Sequence, residues 1–228
     1  MMICPETFYE YNLKGKNADQ IMTVIRGLKR EIGRLKNVME HPEYAPTMCP
    51  TESTQLWCNR LYLERAKEAY AEAGGSYKPS VAEQKSADLD ASIPFVCKVV
   101  FTIGGYFGGY ETRTCTIEED RISTQIQHSL AIDPSDTDEV DAEELDKESF
   151  LEQLKDLHIG EWRKHYSLKR FGYVVMDGTQ WELELYFSND HKTVKITGDN
   201  AYPHNFDKLK ELFGMELYDY EECEEDDE

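Results

Sequence analysis

The chain has 228 residues, with 45 Asp and Glu against 25 Lys and Arg, for a formal charge of −20. Hydrophobic residues at 40% and aromatics at 11% exclude a chain disordered throughout, and this length can bury one large core or two small ones. No apolar run approaches the ~20 residues of a membrane span, and the first ten residues lack the basic region and apolar stretch of a signal peptide, so a soluble, cytoplasmic protein is expected.

Residues 17–40 predict a helix. Asn17 or Asp19 can cap it, and Ile21, Val24, Ile25, Leu28, Ile32, Leu35 and Met39 recur at helical spacing. Arg26, Lys29, Arg30, Arg34 and Lys36 lie mainly on the other side. After a loop with Pro42, Pro46 and Pro50, a second helix is predicted over 53–73, with Leu56, Leu61, Leu63, Ala66, Ala69 and Tyr70 inward. Gly74-Gly75 stops it, and the two helices form a hairpin.

From Pro94 the hydrophobic period becomes two. Phe95, Cys97, Val99, Phe101 and Ile103 share one face of a strand, and Tyr110–Ile117 gives a second. Gly104-Gly-Tyr-Phe-Gly-Gly109 joins them as a glycine-bounded hairpin, and Ile122–His128 is a third strand. An acidic linker leads to a helix expected over 147–166, with Phe150, Leu151, Leu154, Leu157, His158 and Trp162 along one side. Phe171–Met176 and Gln180–Phe187 predict a hairpin across Asp177-Gly178. In its second strand Trp181, Leu183, Leu185 and Phe187 face in, while Glu182, Glu184 and Tyr186 face out. Thr193–Thr197 follows as a strand, and a short helix ends at Phe213-Gly214.

The expected class is therefore α+β: an N-terminal helical hairpin and a mainly antiparallel sheet with helices packed on it, in the order ααβββ, linker, αβββα. The corresponding segments are a helical hairpin over 1–80, a first meander over 93–130, an acidic linker over 131–146, an αβββα segment over 147–215 sharing the sheet, and an acidic tail over 216–228.

Charge is concentrated in two runs. Residues 133–148 hold nine acids and Lys147, a net −8, and residues 216–228 hold nine acids and no base, a net −9. Together they supply −17 of the −20. Such runs stay solvated as solubilising segments, or compete with phosphates for a basic groove, which binds nucleic acid largely through counterion release. Asp136, Asp138, Glu139, Asp141, Glu143 and Glu144 are the candidate partner-binding acids, and Tyr106 and Phe107 at the hairpin tip are candidate contact residues.

Catalytic patterns are weak by comparison. The glycine pairs at 104–109 lead from strand to strand, whereas phosphate loops lead from strand to helix. Glu182 and Glu184 alternate on one strand, as solvent-facing residues do. His158, Glu161, Trp162 and His165 fall near one helical face but without the four-residue histidine spacing of a zinc helix. The six cysteines include no C-x-x-C pair, which favours free thiols, with Cys97 and Cys115 as possible cross-strand neighbours about the 104–109 turn. No cofactor or metal is expected.

A resemblance rests on four stretches: Glu6-Thr-Phe-Tyr-Glu10, Phe101-Thr-Ile-Gly-Gly-Tyr-Phe-Gly-Gly-Tyr-Glu-Thr-Arg113, Asp177-Gly-Thr-Gln-Trp181 and Gly198-Asp-Asn-Ala-Tyr-Pro-His-Asn-Phe206. Through most of its length the chain resembles acidic α+β proteins of unassigned activity carried on mobile elements of Gram-positive gut bacteria. The resemblance implies an antidefence role, such as an anti-CRISPR or antirestriction inhibitor acting as a nucleic-acid mimic in the basic groove of a nuclease. It transfers no catalytic residues. An enzyme acting on a host defence component through an unrecognised site is the alternative. A second is a nucleic-acid-binding accessory protein that uses Arg26, Lys29, Arg30, Arg34 and Lys36, against which a net −20 argues.

Overall fold

Residues 3–46, 49–105, 108–129, 146–175 and 177–215 are described by a computed structural model, and the chain divides into two units, Met1–Val81 and Ala82–Glu228. In the first unit, α1 spans Pro5–Asn12, α2 Ala18–Met39 and α3 Glu52–Glu72. A reciprocal capping box starts α2: the Asn17 side chain accepts from the Gln20 amide at 3.0 Å, and the Gln20 side chain accepts from the Asn17 amide at 3.1 Å. Ile21, Ile25, Leu28, Ile32 and Leu35 then bury one stripe of α2 among Leu56, Leu63, Ala66 and Ala69 of α3. Helix α1 lies on α3, where Phe8 stacks on Tyr62 at 4.4 Å and the Tyr62 hydroxyl donates to the Ile3 carbonyl at 2.6 Å. Glu52, in the first turn of α3, is buried and accepts from the Tyr44 hydroxyl at 2.9 Å.

Helix α4, Val81–Ser92, belongs to the second unit from Ala82 onward and leads into a 3₁₀ turn at Ile93–Phe95. Six strands follow: β1 Val96–Gly105, β2 Gly109–Ile117, β3 Ile122–His128, β4 His165–Ser167, β5 Thr179–Phe187 and β6 Val194–Asp199. They form one sheet in the order β3-β2-β1-β5-β6-β4, antiparallel except for the parallel β4–β6 pair. Helices α5, Lys147–Asp156, and α6, Phe206–Leu212, complete an α+β unit.

Register places Val99 between Cys115 and Leu185, and Phe101 between Arg113 and Leu183. These apolar residues form the inner face with Trp181 and Ile196 and meet Phe150, Leu154, Leu157, Phe206, Leu209 and Phe213 in one core. Arg113 donates to the Phe213 carbonyl, satisfying a group at the end of α6. The alternate residues form the opposite face: Lys98, Val100 and Thr102 on β1, Thr112, Thr114 and Thr116 on β2, Glu182, Glu184 and Tyr186 on β5, and Lys195 and Thr197 on β6.

Four features correct the expectations from sequence. Helices α1 and α4 were not foreseen, because α1 is a single eight-residue segment and α4 buries only Leu89 and Ser92, leaving almost no apolar period. The helix expected to reach 166 ends at Asp156, because His158 adopts a left-handed conformation at φ 50 that closes it. The chain then passes through a 3₁₀ turn at Ile159–Glu161 into β4. The strand expected at 171–176 is absent over its described residues: Leu168–Phe171 form a 3₁₀ turn closed by Gly172 at φ 84, and Val174 is 80% exposed. The partner of β5 is instead the distant β1. Finally, Cys115 lies opposite Val99, and Cys97 sits at an irregularity between Val96 and Lys98, so the two thiols are not paired.

Candidate functional site

Three of the four stretches that carry the resemblance meet at one end of the sheet. Strands β1 and β2 close at the Gly105–Gly109 pair, and Gly105 lies opposite Thr179 at the start of β5. Gln180 lies opposite Asp199 at the end of β6. Asn200, at φ 51, fastens this corner. Its side-chain oxygen accepts from the Thr179 amide at 2.8 Å, and its own amide donates to the Thr179 carbonyl at 2.8 Å. A Cβ on Gly178 would overlap the Asn200 side chain, and one on Gly105 would press on the Gly178 carbonyl, so glycine is required for these backbones to approach. Tyr110 adds a third tie, its hydroxyl donating to Gln180 Oε1 at 2.9 Å. The stem of the glycine hairpin is thus held on both sides. Its tip residues, Tyr106 and Phe107, lie outside the described residues, as do Asp136, Asp138, Glu139, Asp141, Glu143 and Glu144.

The outer face of the sheet carries a charge network. Lys195 donates to Glu182 and, at 3.0 Å, to Glu184, while the Tyr186 hydroxyl donates to Glu184 at 2.6 Å. The Tyr186 and Lys195 hydrogen bonds hold the Glu184 carboxyl below its ordinary range, and the bond to Glu184 raises the Tyr186 hydroxyl. Both carboxylates are held by Lys195 on the polar face of the sheet, as solvent-side alternation predicts.

The histidines are not brought together. With α5 closed at Asp156, His158 lies beyond its end, Glu161 ends a 3₁₀ turn, and His165 pairs with Thr197 at 2.9 Å on an edge strand. Among the described residues no group of three or more His, Cys, Asp or Glu is placed to hold a metal ion, and no helix is long and apolar enough to cross a membrane.

The basic side of α2 is dispersed rather than convergent. Arg34 pairs with Glu31 on the same helix at 2.7 Å, and Lys29 donates to the Tyr77 hydroxyl at 3.3 Å. Arg26 and Arg30 stay exposed. The fourth resembling stretch, Glu6–Glu10, lies on α1 and lines a shallow groove of about 570 Å³ with Tyr11 and Arg65. The Arg65 guanidinium lies 4.0 Å from the centre of the Tyr9 ring. This groove was missed because a helix of eight residues has too few turns to establish an apolar period. The tie at Asn200 was equally hidden, since a left-handed Asn looks in sequence like any turn Asn.

Comparison with protein-family models, curated proteins and solved structures finds no match to this chain.

Proposed function

We propose that this protein is a non-catalytic interaction protein whose acidic segments engage the basic surface of another protein. The favoured target is the nucleic-acid groove of a defence nuclease, of the CRISPR or restriction type. The observation that carries the reading is the segregation of charge: two runs hold −17 of the −20. The rest of the chain carries a net −3, and several charges of the described residues pair locally, as in Arg34–Glu31, Lys195–Glu184 and Arg113–Glu111. A charge excess gathered in this way raises the local potential that a basic groove meets first. The resemblance to mobile-element cargo supports the antidefence form of the proposal, and the dispersion of the α2 cations weighs against direct nucleic-acid binding.

The test is the kinetics of association with a purified nuclease. If acids steer the encounter, the association rate falls severalfold or more between about 50 and 200 mM salt, as the Debye length shortens. Neutralising Asp136, Asp138, Glu139, Asp141, Glu143 and Glu144 together lowers the on-rate with little effect on the off-rate. An on-rate indifferent to both salt and neutralisation would overturn the reading.

A further inference from the structure

The two edges of the sheet differ. Strand β4 is a three-residue parallel strand, short enough to be a poor template. Strand β3 runs for seven residues, Ile-Ser-Thr-Gln-Ile-Gln-His, with no proline, no charged Lys, Arg, Asp or Glu and an unbroken register with β2. Natural edges ordinarily carry at least one such blunting device. Among the described residues no strand pairs with β3 on its outer side.

The outward groups are defined by the ladder. The Ser129 amide donates to the Tyr110 carbonyl at 2.8 Å, and the Arg121 carbonyl accepts from the Glu118 amide at 2.9 Å. Odd-numbered residues of this segment therefore turn their backbone groups toward β2. The amides and carbonyls of Ile122, Thr124, Ile126 and His128 point the other way. Beside that edge, the side chains of half-buried Ile122, Thr124 and Ile126 continue the helix-packed face, while those of Ser123, Gln125 and Gln127 continue the open polar face.

We propose that β3 is a docking edge for an extended segment of a basic partner protein, which adds a seventh strand to the sheet. The inference rests on the proposed reading of the chain as a binder of basic proteins and says how one such partner is held. The segment that fits alternates apolar and polar residues, apolar beside Ile122 and Ile126, and is flanked by Lys or Arg. Charge argues for the flanks. Exposed Glu119 and Asp120 precede β3, where Arg121 pairs with Glu118 and Lys147 donates to the carbonyls of Glu118 and Glu119. In sequence, the acidic run that starts at Asp133 follows His128 by five residues, so acids flank the strand on both sides along the chain. A second copy of this chain would bring its own acids to the same edge, whereas a basic segment would neutralise them.

The probe is a synthetic peptide of alternating valine and threonine with paired lysines at each end, added to the full chain and followed by residue-resolved amide exchange. Exchange is expected to slow at Ile122, Thr124, Ile126 and His128 and to stay unchanged at Ser123, Gln125 and Gln127, which are already bonded to β2. Methylating the amides of the peptide that face β3, or Thr124→Pro in the protein, weakens binding about tenfold, the loss of one or two net hydrogen bonds. Thr124→Pro removes an amide that does not serve β2, and unchanged protection of Leu183 and Leu185 checks that the variant is folded; the methylated peptide tests the same point without any variant. Slowing without alternation, or binding indifferent to methylation, overturns the proposal. So does alternating protection that grows with protein concentration in the absence of peptide, which would assign the edge to a second copy. Equal binding of a glutamate-flanked peptide overturns the basic partner chemistry. If a nuclease binds the chain with a salt-dependent on-rate while β3 stays unprotected, the edge is wrong and the reading on which it rests stands.

Discussion

Trp181 is 2% exposed and lies among Trp162, Tyr166 and Phe206, with ring centroids 4.9 to 6.5 Å away. Its indole N–H donates to the Ala201 carbonyl at 2.9 Å, so a large ring is buried with its one polar atom satisfied. Trp181→Ala should cost about 3–5 kcal/mol. Glu182→Ala, one residue along on the open face, should cost less than about 1 kcal/mol, because it removes only an exposed pair with Lys195. Equal losses of urea midpoint would mean that the strand faces are assigned backwards. A second residue-scale prediction concerns the Tyr44 hydroxyl, pushed up to about 12 by burial and then by the bond to Glu52. The unfolded chain releases this proton near pH ~10, so the contribution of protonated Tyr44 is complete below that pH and is lost as pH rises toward 12. Tyr44→Phe should flatten this alkaline loss and, by leaving buried Glu52 without that donor, cost about 1–3 kcal/mol at neutral pH. Urea titrations across the alkaline range check it, and an unchanged pH slope would contradict it.

At the scale of elements, the sheet corner is the sharpest case. A Cβ on Gly198 would overlap the Trp181 indole and the Ala201 carbonyl, so Gly198→Ala should cost about 1–3 kcal/mol through overpacking. Gly27→Ala, on a helix where nothing lies within 4 Å of the added carbon, should stabilise by a few tenths to about 1 kcal/mol. Thermal midpoints moving in the same direction for both would refute the contrast. Much of this architecture was legible in the sequence. The apolar stripe of α2, the turn residues around 104–109 and the alternation of 181–187 each have a period or a turn signature that local chemistry imposes. What was not legible depends on distance along the chain. Nothing local says that β5 pairs with β1, that residues 165–167 rather than 171–176 supply the remaining strand, or that a left-handed His158 cuts α5 short. The β3 edge was read correctly as a strand, but whether a strand is central or terminal is decided by pairing, which its own residues do not encode.

For the whole molecule, charge and fold have separate roles. The described residues build a sheet and helices in which several ionic groups pair locally, while the excess of acid lies in two runs of sequence. A protein so arranged can keep a stable core and still present a strong field to a cationic surface. Replacing six of the nine acids of the first run, Asp136, Asp138, Glu139, Asp141, Glu143 and Glu144, should therefore slow association with a basic partner while leaving stability within about 0.5 kcal/mol of the parent. A large loss of stability would show that these acids hold the fold together.

The central claim is stoichiometric binding without turnover, and a titration of restriction and CRISPR nucleases with the full chain tests it most directly. A susceptible nuclease should lose activity in proportion to added protein, reach its end point near one equivalent, and give the same end point after short and long incubation. Inhibition by a trace amount that deepens with time would contradict it, because only a catalyst that modifies its target can act beyond its own number.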